Sequence, residues 1–221
     1  MGIKVTKNGP YEVDGDLPLE REEIQADKEG TSCCWKKTGK VETSGDYALC
    51  RCGKSKNKPF CDGTHAKDGF KCEDADPAEK FDDSAEVYEG AKYNLCDCGK
   101  LCASARFCHR AGGTWDLVQK EDENSEKILK EEVRDCPSGR LVLKDKETGE
   151  IIEEKREPSI SLTEDKPAKV SGPIWVKGGV EIVSSDGKTY EKRNRVTLCR
   201  CGKSRNKPFC DGSHIEEGFK E

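Results

Sequence analysis

The apolar residues in the C-terminal part of the chain fall in short runs that predict β-strands. Ile174–Val176, Val180–Val183 and Arg195–Leu198 each have the length and the β-branched content of a short strand. The Asp186-Gly187 pair between the second and third runs is typical of a tight turn. This part of the sequence therefore predicts a small, strand-rich unit.

The middle of the chain has a different pattern. Thr114–Val118 and Leu141–Leu143 each predict a strand, and Ser125–Arg134 between them predicts an amphipathic helix. The apolar positions on one face of that helix are Ile128, Leu129 and Val133. We therefore expect a strand, a helix and a second strand in this segment.

Composition limits how much core these elements can share. Of 221 residues, 33% are hydrophobic and 38% are charged, so the apolar core per residue is small. Small domains with little core usually need metal ions or disulfides, and the chain has 14 cysteines. The start of the sequence shows no signal peptide and no stretch predicts a membrane span, so we expect a soluble, cytoplasmic protein whose thiols stay reduced.

One stretch of the sequence occurs twice. Residues 49–71 and 198–220 are identical at 18 of 23 positions with a constant offset of 149. A shorter similarity, between residues 9–15 (GPYEVDG) and 172–178 (GPIWVKG), precedes each copy. The repeated unit is therefore a strand-rich leader followed by a conspicuous cysteine-containing loop.

Each copy contains three cysteines and one histidine in the same order. These are Cys50, Cys52, Cys61 and His65 in the first copy, and Cys199, Cys201, Cys210 and His214 in the second. Thiolates with an imidazole select zinc or an iron–sulfur cluster. The C-x-C spacing is tighter than the usual zinc C-x2-C, and alternate residues of an extended strand share a face, which suits two thiolates on one iron. A cluster is favoured on these grounds, and zinc remains the alternative.

The residues around the fourth ligand predict how it is held. Asp62 is expected to be the N-cap of a short helix, with His65 in its first turn. A helix N-terminus disfavours a protonated imidazole, so His65 is expected to be neutral, as a metal ligand must be.

The spacing in both copies, C-x-C-x2-S-x3-P-x-C-D-G-(S/T)-H, resembles the signature of the CDGSH (mitoNEET-like) iron–sulfur family. Cys50 through His65 and Cys199 through His214 match it without a gap. The resemblance implies a [2Fe-2S] cluster in each copy, held by three Cys and one His. Single-motif members resemble half of this chain and form intertwined homodimers, so we expect the two units to pair as a pseudo-dimer within a monomer.

The middle segment contains a second cysteine pattern. Cys102, Cys108 and the Cys136-Pro137 pair resemble the ferredoxin pattern C-x2-C-x2-C with a distant C-P, and Ala105 stands where one cysteine would be. The segment resembles a divergent mono-cluster ferredoxin domain. Three thiolates imply a [3Fe-4S] cluster, or a [4Fe-4S] cluster with another ligand, and a metal-free structural insert is the alternative.

The remaining cysteines, the third histidine and the basic residues have simpler interpretations. Cys33 and Cys34 are expected to be ordinary thiols and His109 to be solvated, whereas Cys96 and Cys98 either supply a missing ligand or do not take part. Basic residues surround both loops: Arg51, Lys54, Lys56, Lys58, Arg200, Lys203, Arg205 and Lys207. A net charge of −5 and only 6% aromatic residues argue against nucleic acid, so these residues either steer an acidic redox partner or simply offset an anionic cluster.

The sequence as a whole predicts an α+β protein with three parts. These are a first β-rich module (1–72), a ferredoxin-like insert (73–170) and a second β-rich module (171–221). No nucleophile with its base, phosphate-binding loop or dinucleotide fingerprint is evident, so we expect a non-enzymatic protein that transfers electrons with a redox partner protein. Alternatives are a cluster donor to an apo acceptor or a redox sensor, a zinc-stapled interaction module, and an oxidoreductase subunit with a separate catalytic partner.

Overall fold

The computed structural model describes residues 1–221 and has the expected α+β fold, with twelve strands and five short helices. The first part contains β1 (Gly2–Val5), β2 (Tyr11–Asp14), β3 (Leu19–Ala26), β4 (Ser32–Val41), β5 (Tyr47–Leu49) and α1 (Thr64–Lys67). The insert contains α2 (Phe81–Ser84), β6 (Glu86–Glu89), β7 (Tyr93–Asp97), 3-10 turns at Gly99–Leu101 and Phe107–His109, α3 (Thr114–Leu117), α4 (Glu123–Asp135) and β8 (Leu141–Asp145). The last part contains β9 (Ser159–Asp165), β10 (Val170–Lys177), β11 (Glu181–Val183), β12 (Arg195–Leu198) and α5 (Ser213–Glu216). The longest helix, α4, has 13 residues, so no helix here could span a membrane.

The two β-rich modules exchange a strand with each other. In the first sheet the order is β11-β1-β2-β5, and in the second it is β12-β10-β9-β3-β4. The strand that follows each leader crosses to the other module: β3 runs parallel to β9 and β11 runs parallel to β1. Each exchanged strand therefore becomes part of the sheet of the other module. The expected intrachain pseudo-dimer is confirmed, and the exchange of strands is its structural basis.

Both modules share one hydrophobic core. At the two crossings, Ile3 lies beside Ile182, and Leu19 lies beside Ile160. All four side chains belong to a single cluster of 16 buried residues drawn from both ends of the sequence. Because small units bury too little surface alone, sharing a core is a physical reason for the pairing.

The insert has its own sheet, of order β6-β7-β8, and its own core of 8 buried residues. The predicted helix is confirmed as α4, whose N-cap Asp122 accepts a hydrogen bond from the backbone N–H of Ser125. The predicted strand at Leu141–Leu143 is confirmed as part of β8. The predicted strand at Thr114–Val118 is wrong, because this segment forms α3. Its buried residues Thr114, Leu117 and Val118 have i, i+3, i+4 spacing, which is that of a helix face.

The expected boundary between the insert and the second module, after residue 170, falls within strand β10. Strand β9 lies inside the expected range 73–170, yet it is hydrogen-bonded between β10 and β3 in the second sheet. We therefore propose a division into residues 1–72, 73–158 and 159–221.

Candidate metal centres

The first two donors of the first module lie where β5 ends. Cys50 and Cys52 are buried in a bend that follows β5, rather than in the extended strand that we expected. Gly53 turns the chain with a φ of +74°. Their Sγ atoms are 3.8 Å apart. Two thiolates at ~2.3 Å from one tetrahedral ion lie about 3.8 Å from each other, so this pair fits a shared metal.

The other two donors of this module lie at the start of α1. Cys61 Sγ is 3.3 Å from His65 Nδ1, close to the ~3.6 Å that a sulfur and a nitrogen on one tetrahedral ion would show. The N-cap is Gly63, not Asp62 as expected. The Asp62 carboxylate instead accepts hydrogen bonds from the N–H groups of Lys56 and Thr64, which hold its pKa well below the usual range.

The second module repeats this arrangement with deeper burial. Cys199 Sγ is 3.8 Å from Cys201 Sγ, and Cys210 Sγ is 3.5 Å from His214 Nδ1. All four side chains are buried, and burial raises the pKa of the Cys210 thiol. Buried thiols of this kind become thiolates when a cation replaces the proton.

The four candidate ligands of each module form two pairs rather than a single four-residue cluster. No three His, Cys, Asp or Glu side chains converge as they would around a single ion. The pairs nevertheless lie near each other: burial chiefly raises the pKa of Cys52 to about 11, and the charges of Cys50 and Cys61 add to it. Two adjacent pairs fit a binuclear centre better than one tetrahedral zinc.

The two histidines differ in exposure. His65 is half-buried, whereas His214 is only 3% exposed. Burial lowers the pKa of His214 to about 4, so this imidazole is neutral near neutral pH. The main cause of this shift in the pKa of His214 is burial.

Several of the basic residues around the loops are structural. Arg51 donates to the Thr6 carbonyl and pairs with Asp74, while Arg200 donates to the Thr163 carbonyl and is buried. Lys207 is also buried. The exposed basic residues that remain near the loops are Lys54, Lys56, Lys203 and Arg205. The surface available for steering a partner is thus smaller than the sequence suggested.

The three cysteines of the insert come together in one pocket. Cys102, Cys108 and Cys136 line it together with Ala105. Burial is the main cause that raises the pKa of Cys108 to about 12, and the charges of Cys136 and Cys102 contribute. The Arg140 side chain lines the same pocket and donates a hydrogen bond of 2.7 Å to the Asp97 carboxylate, so a cation faces the thiols.

Cys96 and Cys98 do not line this pocket. They lie in a separate apolar cluster with Phe81, Leu101 and Val142, and burial raises the pKa of both thiols. The structure therefore gives no support to the idea that they supply a missing ligand. His109 lies beside the Trp115 ring, with centroids 5.4 Å apart, and is exposed.

Cys33 and Cys34, which were expected to be ordinary thiols, lie close together in β4. Cys34 pairs with Gln25 and Ser32 with Ala26, so Cys33 is the extra residue of a β-bulge. The bulge brings the two thiols to the same side of β4, with 3.8 Å between their Sγ atoms.

Two residues that the sequence analysis missed hold cysteine-bearing segments in place from another part of the chain. Tyr11 of β2 is fully buried and donates to the carbonyls of Cys199 and Pro208, at 2.9 and 3.0 Å. Arg195 of β12 reaches into the insert and donates to the Cys136 carbonyl at 2.8 Å. The repeats offered a signal for both residues, because each differs from its counterpart in the other repeat: Tyr11 corresponds to Ile174, and Arg195 corresponds to Asp46.

The fold and these donor sets define a class of protein: a strand-exchanged pair of metal-binding modules with a cysteine-lined insert. Residues 8–66 and 171–215 match the family model of the iron-binding zinc finger of CDGSH type. Residues 88–146 match the model of the divergent 4Fe-4S mono-cluster domain. No curated protein and no solved structure matches the chain. The chain is therefore a tandem CDGSH iron–sulfur protein with a divergent ferredoxin-like domain between its two motifs.

Proposed function

We propose that this chain is a non-enzymatic electron-transfer protein. Each CDGSH module would hold a [2Fe-2S] cluster, and the insert would hold a third, ferredoxin-type cluster. Iron–sulfur clusters supply reversible one-electron chemistry, and the protein sets their potential and their access to partners.

The observation that carries the proposal is the pairing of donors in each module. A Cys–Cys pair at 3.8 Å and a Cys–His pair at 3.3 or 3.5 Å stand side by side. In this arrangement the Cys50 and Cys52 thiolates would hold one iron, and Cys61 with His65 the other. Cys199, Cys201, Cys210 and His214 would do the same in the second module.

The insert would hold its cluster through Cys102, Cys108 and Cys136. Three thiolates in one pocket, with Ala105 where a fourth would stand, favour a [3Fe-4S] cluster over a [4Fe-4S] cluster. The adjacent Arg140 would offset part of the negative charge of the thiolates and sulfides.

Metal analysis of anaerobically purified protein tests this assignment. Three loaded sites predict ~7 iron per chain, against ~4 if the insert holds none. Replacing Cys102, Cys108 and Cys136 together by Ser should remove only the difference. A colourless protein that contains zinc instead of iron would contradict the proposal and favour the interaction module.

A second candidate function is cluster donation, which the exposure of the first site favours. Cys61 and His65 are only half-buried, so an acceptor could approach them. An electron carrier should survive repeated reduction and reoxidation without losing iron. Rapid transfer of cluster to an apo-ferredoxin, without stable redox cycling, would instead favour donation.

A further inference from the structure

The insert is fastened to the second CDGSH module at the residues that surround its pocket. Besides the Cys136 carbonyl, the Arg195 guanidinium donates to the carbonyls of Val133 and Leu141, at 3.0 and 2.8 Å. The Arg195 side chain is only 2% exposed. In the first module the equivalent residue, Asp46, accepts a hydrogen bond from the N–H of Gly15 instead. One side of the insert pocket is thus tied to β12, the strand that leads into Cys199.

The opposite side of the pocket is fastened to the same module. Arg106, within the Cys102–Cys108 loop, makes two hydrogen bonds of 2.8 Å to the Asp165 carboxylate at the end of β9. Asn206, in the second cysteine loop, donates to the Lys100 carbonyl at 3.1 Å. These contacts hold the insert loop against the second cysteine loop.

Gly212 lies at the centre of this contact. A Cβ atom there would be 3.2 Å from the Cys102 carbonyl oxygen and 2.6 Å from Ser104 Oγ, so only a glycine allows this approach. On its other side, the N–H of Gly212 faces Cys210 Sγ at 3.4 Å. Gly212 therefore touches one thiol-bearing residue of the insert pocket and one donor of the second CDGSH site.

The equivalent residue of the first module has no such neighbour. The N–H of Gly63 faces Cys61 Sγ at 3.5 Å, as in the second module. A Cβ on Gly63, however, would meet nothing within 4 Å. The two motifs share their sequence and local geometry here, and they differ in what is docked against them.

From this asymmetry we infer that Gly212 is the junction through which the insert site exchanges electrons with the second CDGSH site. The rate of electron transfer falls steeply as the distance between two centres increases. A path of covalent bonds interrupted by a single van der Waals contact keeps that distance short. With clusters bound, one electron from a one-electron donor protein would pass from a centre held at Cys102 to a centre held at Cys210, and no bond would form or break. The inference rests on the proposed function, because both sites must hold clusters.

The test compares Gly212→Ala with Gly63→Ala in the full chain. Both glycines have a left-handed φ, of +90° and +82°, so the backbone cost of alanine is similar. Only in Gly212→Ala would the new methyl group press against the insert loop, at Ser104 Oγ and the Cys102 carbonyl. Iron, sulfide and the visible spectrum are measured first. A wild-type chain without these clusters would overturn the proposed function rather than the junction.

The readout is electron paramagnetic resonance of partly reduced protein. A nearby paramagnet speeds the spin relaxation of a reduced [2Fe-2S] centre. We expect faster relaxation for one of the two CDGSH signals in wild type and Gly63→Ala, and a measurably slower rate for that same signal in Gly212→Ala. The effect should persist in Cys61→Ser and disappear in Cys210→Ser, which assigns it to the second module.

A rescue variant guards against general misfolding. Ser104 has a φ of +54°, so glycine is well tolerated there, and Ser104→Gly removes the hydroxyl that the new methyl group would strike. The double variant Ser104→Gly/Gly212→Ala should regain the fast relaxation at least in part. Unchanged relaxation in a loaded Gly212→Ala protein, or an effect that follows the first module, would overturn the inference, as would a double variant that stays as slow as Gly212→Ala.

Discussion

Gly53 packs against the second cysteine loop, at Cys201, and Gly202 packs in the same way against the first, at Cys52. A Cβ on Gly53 would lie 2.3 Å from the Cys201 carbonyl oxygen, and one on Gly202 would lie 2.3 Å from the Cys52 carbonyl oxygen. Both residues have a left-handed φ, of +74° and +78°. The two cysteine loops thus meet backbone to backbone across the pseudo-two-fold axis, and both positions require glycine for conformation and for space.

The first prediction concerns this contact. Gly53→Ala or Gly202→Ala should lower the free energy of unfolding by about 1–3 kcal/mol more than a control, because the added methyl overpacks against backbone. The control is Gly69→Ala, where φ is +64° and a Cβ would meet nothing within 4 Å. Urea unfolding followed by circular dichroism measures the difference. Equal losses at all three positions would mean that the loops separate freely.

The second prediction concerns the strand exchange. Ile3→Ala and Leu19→Ala should each cost about 2–5 kcal/mol, because both side chains are buried in the shared core. Either change should shift the unfolding of both modules together. The visible signals of the two CDGSH sites and the far-ultraviolet signal should therefore disappear in one transition. Val87→Ala, at a side chain that is 58% exposed, is the control and should change little.

The third prediction concerns access to the two CDGSH sites. A bulky iron chelator should remove iron from the first site several times faster than from the second, because His65 is half-buried and His214 is buried. The loss of visible absorbance should have two phases. Cys61→Ser should remove the fast phase and Cys210→Ser the slow one. Equal rates at both sites would show that exposure does not control release.

The fourth prediction concerns the insert pocket. Ala105→Cys places a fourth thiol in the pocket that Cys102, Cys108 and Cys136 line. The protein should gain one iron per chain as a [3Fe-4S] cluster becomes [4Fe-4S], with the matching change in its paramagnetic resonance signal. Ala111→Cys, at an exposed position nearby, is the control and should not change the iron content. A wild-type protein that already holds four irons in the insert would contradict this expectation.

The sequence predicted the features that depend on local pattern. Helix α4 has a clear apolar face and an N-cap, and β12 was predicted with its observed bounds. Segment Thr114–Leu117 was misassigned because a run so short fits a strand or a single helical turn, and only the neighbouring core decides between them.

The sequence predicted which cysteine and histidine side chains come together in each module, but it did not predict their surroundings. Each module repeats the same residues, so the sequence suggested two equivalent sites. What distinguishes the two sites is contact with the insert. The parallel pairing of β1 with β11 was also not predictable, because it joins only three residues of each strand and leaves no local signature in the sequence. Tertiary contacts between distant segments set the burial of His214 and the role of Arg195.

The unequal exposure of His65 and His214 has a consequence for the whole molecule. Two identical subunits related by a two-fold axis are interchangeable, so such an assembly has no front and no back. Here a single chain joins the two halves, and the insert covers one of them while the other stays open to solvent. The protein thereby acquires a polarity, with the insert at one end and the half-exposed Cys61 and His65 at the other.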